Sequence, residues 1–262
     1  LSTPMPINTK VISPGWLHTC AIHGDNTLNC WGSNQNGQLG FEIDEDDYQY
    51  TIPQKIDLGS NVNPTSLSLG EEHTCALIDD GSIRCWGVNS DGQLGLGNIT
   101  DYISTPQTVS IGTGVFATSI SAGSMHTCAI TDNGEAKCWG RNDQGQVGNF
   151  GTADQPTPQS IPLGSRTAVQ VSSGYHHTCV VLDNGELKCW GRNGNGQLGL
   201  GTTTNHFTPQ TVNLGPGRTA ISLALGTYFT CALLDDGSVS CWGDGTSGQL
   251  GLGNTNSALL PN

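Results

Sequence analysis

Short runs of alternating apolar and polar residues, each halted by a glycine, make up most of this chain. Ala117 to Ala122 reads A-T-S-I-S-A and stops at Gly123, the pattern of a half-buried strand meeting a tight turn. H-T-C-A-I or H-T-C-A-L follows as a second strand, and after a short turn a third ends in C-W-G. The intervening turn reads Asp79-Asp80-Gly81, Asp132-Asn133-Gly134, Asp183-Asn184-Gly185 and Asp235-Asp236-Gly237. A three-residue hairpin loop with glycine in the left-handed position explains that composition. Counting outward from the loop pairs Ile78 with Ser82, Leu77 with Ile83, Ala76 with Arg84 and Cys75 with Cys85. The first hairpin departs from the rule, with His23-Gly24-Asp25-Asn26 at its turn. Farther on, Thr105-Pro106-Gln107-Thr108-Val109 reads as an outer fourth strand, where proline is tolerated at an edge.

This four-strand unit recurs from end to end. Its first cysteine falls at Cys20, Cys75, Cys128, Cys179 and Cys231, giving repeat lengths of 55, 53, 51 and 52 residues. Such a period belongs to solenoids and propellers, and four strands per unit make a propeller blade. The expected fold is therefore all-β, a β-propeller of five blades with four antiparallel strands each, forming a single domain over residues 1–262. Leu1 to Gly15 and Gly251 to Asn262 are expected to complete one blade together.

The ten cysteines form five pairs with nine residues between the members: Cys20 and Cys30, Cys75 and Cys85, Cys128 and Cys138, Cys179 and Cys189, Cys231 and Cys241. Zinc sites bring cysteines two to four residues apart, so cross-strand disulfides are the better reading. Oxidised cysteines place the protein in an exported compartment, extracellular, on the cell surface or periplasmic. No charged and apolar leader precedes Leu1, as expected of a mature product or an excised domain. No run of about 18 apolar residues occurs, so no membrane insertion is expected. A net charge of −13 with only nine Lys plus Arg argues against nucleic acid.

G-x-x-H-T-C-A followed by C-W-G-x-N-x-x-G-Q-L-G closely resembles the repeat of the regulator of chromosome condensation family, over essentially the whole chain. The resemblance implies a β-propeller, usually of seven blades, which leaves an incomplete ring or a fragment of a seven-bladed propeller as the alternative to a five-bladed ring. Nuclear members are exchange factors for a small GTPase, a partner that an exported, disulfide-bearing chain would not meet. A plant photoreceptor member repeats tryptophan in G-W-x-H-T, whereas here Gly15-Trp16-Leu17-His18-Thr19 alone matches. A bacterial β-lactamase inhibitor on the same kind of scaffold shows that the fold serves as a pure protein binder.

Residues that repeat with the blade solve a problem of the blade. His18, His73, His126 and His177 are thus read as hydrogen-bonded structural histidines, with Phe229 in the fifth position, and Trp31, Trp86, Trp139, Trp190 and Trp242 as inter-blade packing. Asp44-Glu45-Asp46-Asp47, in an insertion unique to the first repeat, lacks the spacing of a calcium loop and reads as a solvated charge run. No nucleophile elbow, phosphate-cradling loop or H-E-x-x-H occurs, so no catalytic residue, metal or cofactor is expected.

What differs between repeats is more telling. The two residues between glycine and histidine are Trp16 and Leu17, Glu71 and Glu72, Ser124 and Met125, Tyr175 and His176, and Thr227 and Tyr228. Variable positions on a constant scaffold are how a rigid fold carries a recognition surface. The expected function is a non-enzymatic extracellular module that binds a protein or glycan through this face. Alternatives are a structural module of a larger protein, with these residues meeting neighbouring copies, and an enzyme inhibitor.

Overall fold

The alternating runs form strands throughout, grouped blade by blade in chain order. A computed structural model describes residues 8–44, 46 and 48–262; Leu1 to Ile7 of the expected first strand, and Glu45 and Asp47 of the acidic insertion, lie outside the described residues. The first blade comprises β1 (Thr9–Pro14), β2 (His18–His23), β3 (Leu28–Ser33) and β4 (Gln49–Ile56). The second comprises β5 (Pro64–Leu69), β6 (His73–Ile78), β7 (Ile83–Val88) and β8 (Tyr102–Val109). The third is β9 (Ala117–Ala122), β10 (His126–Thr131), β11 (Ala136–Gly140) and β12 (Gln155–Ser160), and the fourth β13 (Ala168–Ser173), β14 (His177–Leu182), β15 (Leu187–Gly191) and β16 (His206–Val212). The fifth holds β17 (Ala220–Leu225), β18 (Phe229–Leu234) and β19 (Val239–Gly243).

Each sheet is antiparallel, and β6 pairs with β7 in the expected register, Leu77 opposite Ile83, Ala76 opposite Arg84 and Cys75 opposite Cys85. The loop between them closes through Ile78 N–H to the Ser82 carbonyl (2.9 Å), with Gly81 at φ 79°. In the first hairpin Asn26 takes that position at φ 66°, a conformation asparagine tolerates better than most side chains. All five opposed cysteine pairs form disulfides. Each closes a short loop, contributing at most about 3 kcal/mol in the entropy model.

Among the described residues the two chain ends do not share a blade. β1 heads the first sheet, whereas Ala258 bridges to Gly243 along the free edge of β19, and the Asn262 carbonyl accepts from Cys241 N–H (3.0 Å). Each repeat supplies its own three inner strands in sequence, and Ala258 and Asn262 lie along the outer edge of the fifth.

The core lies between blades. Cys20, Ile22, Leu28 and Cys30 on one face of the first sheet pack against Leu67, Leu69, Ala76, Ile78 and Trp86 on the facing side of the second, and the scheme repeats at each later junction. Trp86, Trp139, Trp190 and Trp242 are wholly buried there, and truncating such a residue to alanine typically costs about 3–5 kcal/mol. On the fifth blade, Leu233 and Val239, the counterparts of buried Val181 and Leu187, are 37% and 62% exposed.

A polar clasp accompanies each of four junctions. Trp86 Nε1 (3.0 Å) and Thr74 Oγ1 (2.9 Å) of the second blade both donate to the Gln38 carbonyl of the first, and His18 Nε2 lies 2.8 Å from Thr74 Oγ1. Because threonine gives its one proton to the carbonyl, its oxygen must accept from the histidine, which fixes the imidazole as the Nε2–H tautomer. The same arrangement unites Gln93, Thr127, Trp139 and His73; Gln146, Thr178, Trp190 and His126; and Gln197, Thr230, Trp242 and His177. Burial pulls the pKa of His18 down to about 4 and those of His73, His126 and His177 to about 3, so all four are neutral near pH 7. Phe229 cannot make the fifth such bond, and among the described residues no clasp joins the fifth blade to the first.

Candidate functional site

The turn from the first to the second strand of a blade is held by its own backbone. Gly70 N–H donates to the His73 carbonyl (2.9 Å), and Glu71 N–H to the Ser124 carbonyl of the next blade (3.0 Å). A Cβ on Gly70 would stand 2.6 Å from the Gly123 carbonyl oxygen, so only glycine lets the inner strands approach this closely. The two residues after each glycine form the turn at one end of the blade, exposed at Trp16 and Leu17 and buried at Ser124 and His176.

Those positions surround a central cavity of about 460 Å³. Trp16, Glu71, Ser124, Tyr175 and Thr227, one from each blade, line it together with Gly15, Gly70, Gly123, Gly174 and Gly226. The second residue of each pair, Leu17, Glu72, Met125, His176 or Tyr228, lies outside this inner ring. Its carbonyl accepts from the residue that follows C-W-G: Ser33 to Leu17 (2.8 Å), and Val88 to Glu72, Arg141 to Met125, Arg192 to His176 and Asp244 to Tyr228 (2.9 Å each). This third variable position in each blade, Ser33, Val88, Arg141, Arg192 and Asp244, escaped the sequence reading. Its signal was present, because the residue after C-W-G changes in kind from blade to blade.

Aromatic and cationic groups gather on the third to fifth blades. Tyr175 meets His176 edge-on (4.5 Å between centroids) and Tyr228 likewise (6.0 Å), and the Arg192 guanidinium carbon lies 4.9 Å from the Tyr228 ring centroid. Arg141 forms a bidentate pair with Asp143, Nε to Oδ1 at 3.0 Å and Nη2 to Oδ2 at 2.9 Å. Acidic groups face them from the second blade. Burial, and then the neighbouring Glu71, raise the Glu72 carboxyl above its ordinary range, and burial with Asp154 does the same for Asp91. Tyr175 is raised by burial and by the Glu71 carboxylate beside it. Burial, and next the Arg141 guanidinium, lower His176 to about 4, so this ring is neutral at the mouth.

Ser124 Oγ and His176 Nδ1 are buried with no hydrogen-bond partner among the described residues. Among those residues there is also no group of three or more His, Cys, Asp or Glu arranged to hold a metal ion. The arrangement offers ring faces, a guanidinium and hydroxyl groups at a concave mouth, which is the equipment for binding.

The RCC1-like domain model matches residues 2–262. The ultraviolet-B receptor UVR8 of Arabidopsis thaliana is 32% identical over 260 residues, covering 97% of this chain and 58% of that protein. Among solved structures, human WBSCR16 superposes with a TM-score of 0.90 at 21% identity, over 100% of this chain and 69% of the other. Prp20p of Saccharomyces cerevisiae, described with its binding to Gsp1p and histones, superposes at 0.80 with 23% identity, over 94% and 61%. The chain thus spans little more than half the length of the receptor it matches. These repeats, junctions and matches together establish that the chain belongs to the RCC1-like domain family.

Proposed function

We propose that this domain is a non-enzymatic recognition module whose partner, a protein, docks on the end of the propeller that surrounds the central cavity. The observation that carries the reading is the division within each blade: glycine, histidine, threonine, tryptophan and glutamine recur and hold the scaffold, while three adjoining positions vary, the first of them lining the central cavity. A scaffold already clasped at its junctions pays little ordering entropy on binding, so a few aromatic anchors suffice for affinity. That Prp20p is described as binding proteins supports a protein partner on this kind of fold. Five disulfides support an oxidising, exported setting.

A second reading, assembly into a larger structure, is favoured by the exposed apolar face of Leu233 and Val239 on the fifth blade. One comparison separates the two. Wild-type protein and a Trp16→Ala, Tyr175→Ala, Tyr228→Ala variant are used to capture partners from an extracellular fraction and to probe a glycan array, with sedimentation run in parallel. The proposal expects a protein ligand that the folded variant loses. A ligand retained by the variant excludes this face, self-association as the sole property lost favours assembly, and a variant-sensitive array signal reassigns the ligand to a glycan.

A further inference from the structure

Resting on the recognition reading above, the geometry of the fourth blade points to the chemistry of the partner. We infer that a peptide segment binds with an acidic side chain seated on Arg192 and its neighbouring residues running over Tyr228 and Tyr175 toward the central cavity.

Arg141 and Arg192 occupy the same place in successive blades, each after C-W-G and before asparagine. Two residues beyond Arg141 stands Asp143, whose carboxylate accepts from the Nε and Nη2 edge of the guanidinium. Two residues beyond Arg192 stands Gly194. The third blade therefore displays what a guanidinium at this position binds, and the fourth blade has the same guanidinium without the internal carboxylate. Among the described residues Arg192 takes part in no ion pair, a property it shares with Lys10, Lys55 and Arg84 and not with its counterpart Arg141, in a chain of net charge −13.

The Tyr228 ring beneath Arg192 restrains the guanidinium through its face and leaves the N–H edges for a planar, bidentate acceptor. Tyr175 continues the surface from Tyr228 to the cavity wall. Glu71 and Glu72 on the second blade repel a carboxylate, so the acidic residue is directed to the Arg192 side.

The test is a selection of displayed random peptides of about a dozen residues against the wild type, followed by binding measurements on two variants. Gly194→Asp installs the carboxylate of the third blade beside Arg192 while leaving Arg192 and both tyrosines in the sequence, and Gly194 has no left-handed backbone angle to oppose the change. Arg192→Ala removes the anchor. The expected result is peptides enriched in Asp and Glu whose affinity falls at least about tenfold in both variants, as for a lost charge-assisted bond, with thermal midpoints unchanged. Peptides enriched in Lys or Arg, or a variant of either kind that binds as tightly as the wild type, overturn the inference. If such peptides are nevertheless lost in the triple aromatic variant, the recognition face stands and the Arg192 assignment fails; if they bind that variant too, or if no peptide is selected, both fail. A self-associated wild type that Gly194→Asp makes monomeric gives the Arg192 position to a second copy and overturns the peptide proposal.

Discussion

Acid should unfold this propeller in a narrow range set by the clasp histidines. Each is fixed with Nε2–H donating to threonine, so a second proton must enter at Nδ1, and His18, His73, His126 and His177 have no partner there among the described residues. Their pKa values, about 4 for His18 and about 3 for the other three, lie below the ordinary histidine value of 6.5. The unfolded chain therefore binds more protons than the folded one between these limits, so stability is complete above pH 6.5 and is lost as the pH falls toward the folded values. At pH 5 folding strips roughly one proton from each of the four, costing about 2 kcal/mol apiece or about 8 kcal/mol together. That is comparable to the whole stability of an ordinary domain, on the order of 5–15 kcal/mol. Denaturant titrations from pH 7.5 to 5 should show stability falling with a slope approaching about 5 kcal/mol per pH unit at the acid end. A His126→Gln variant, whose amide can still donate to Thr178, should lose about a quarter of that slope. Stability that is level between pH 7 and 5, or an unchanged slope in the variant, would refute the assignment of these imidazoles as neutral donors.

Two further outcomes follow from local departures from the repeat. Phe150 stands at φ 72°, where the equivalent Gly97, Gly201 and Gly253 stand at 85°, 74° and 74°, and is 74% exposed. Phe150→Gly should therefore raise stability by up to about 1 kcal/mol in thermal or denaturant unfolding, and a lower midpoint would contradict this account. Cys231 is half-buried and Cys241 is 8% exposed, whereas the other eight half-cystines are wholly buried. Partial reduction with alkylation and peptide mapping should label Cys231 and Cys241 first; uniform labelling across the blades would show that access does not control reduction.

The pairing of cysteines, the hairpin glycines and the place of the ten variable residues were legible because each is a matter of counting within one repeat. The clasp was legible only in part. Recurring histidine, threonine and tryptophan announce a structural task, but the atom they converge on is a backbone carbonyl of the preceding blade, Gln38 or its equivalent, which no side-chain pattern reveals. Arg141 and Arg192 were overlooked because the residue after C-W-G reads as the start of a loop. Extending the register by one place would have found them: His73 lies opposite Gly87, so the next residue, Val88 in that blade, must meet the turn before His73. The chain ends were misjudged because a blade lacking its last strand and a blade lacking its first look alike in sequence.

The same geometry explains why the mouth can vary without loosening the junctions between blades. In every blade the outer variable residue is held by its backbone carbonyl and the residue after C-W-G by its backbone N–H, so neither position owes its place to its side chain. The histidine one step along the chain does the opposite work, since its side chain reaches the next blade. On the proposed recognition reading, stability and recognition fall to adjacent residues but to different atoms. A change such as Arg192→Ala leaves every clasp bond in place and should act on binding alone. Thr178→Val leaves buried His126 Nε2–H without its acceptor, a loss of about 1–3 kcal/mol felt across the junction between the third and fourth blades.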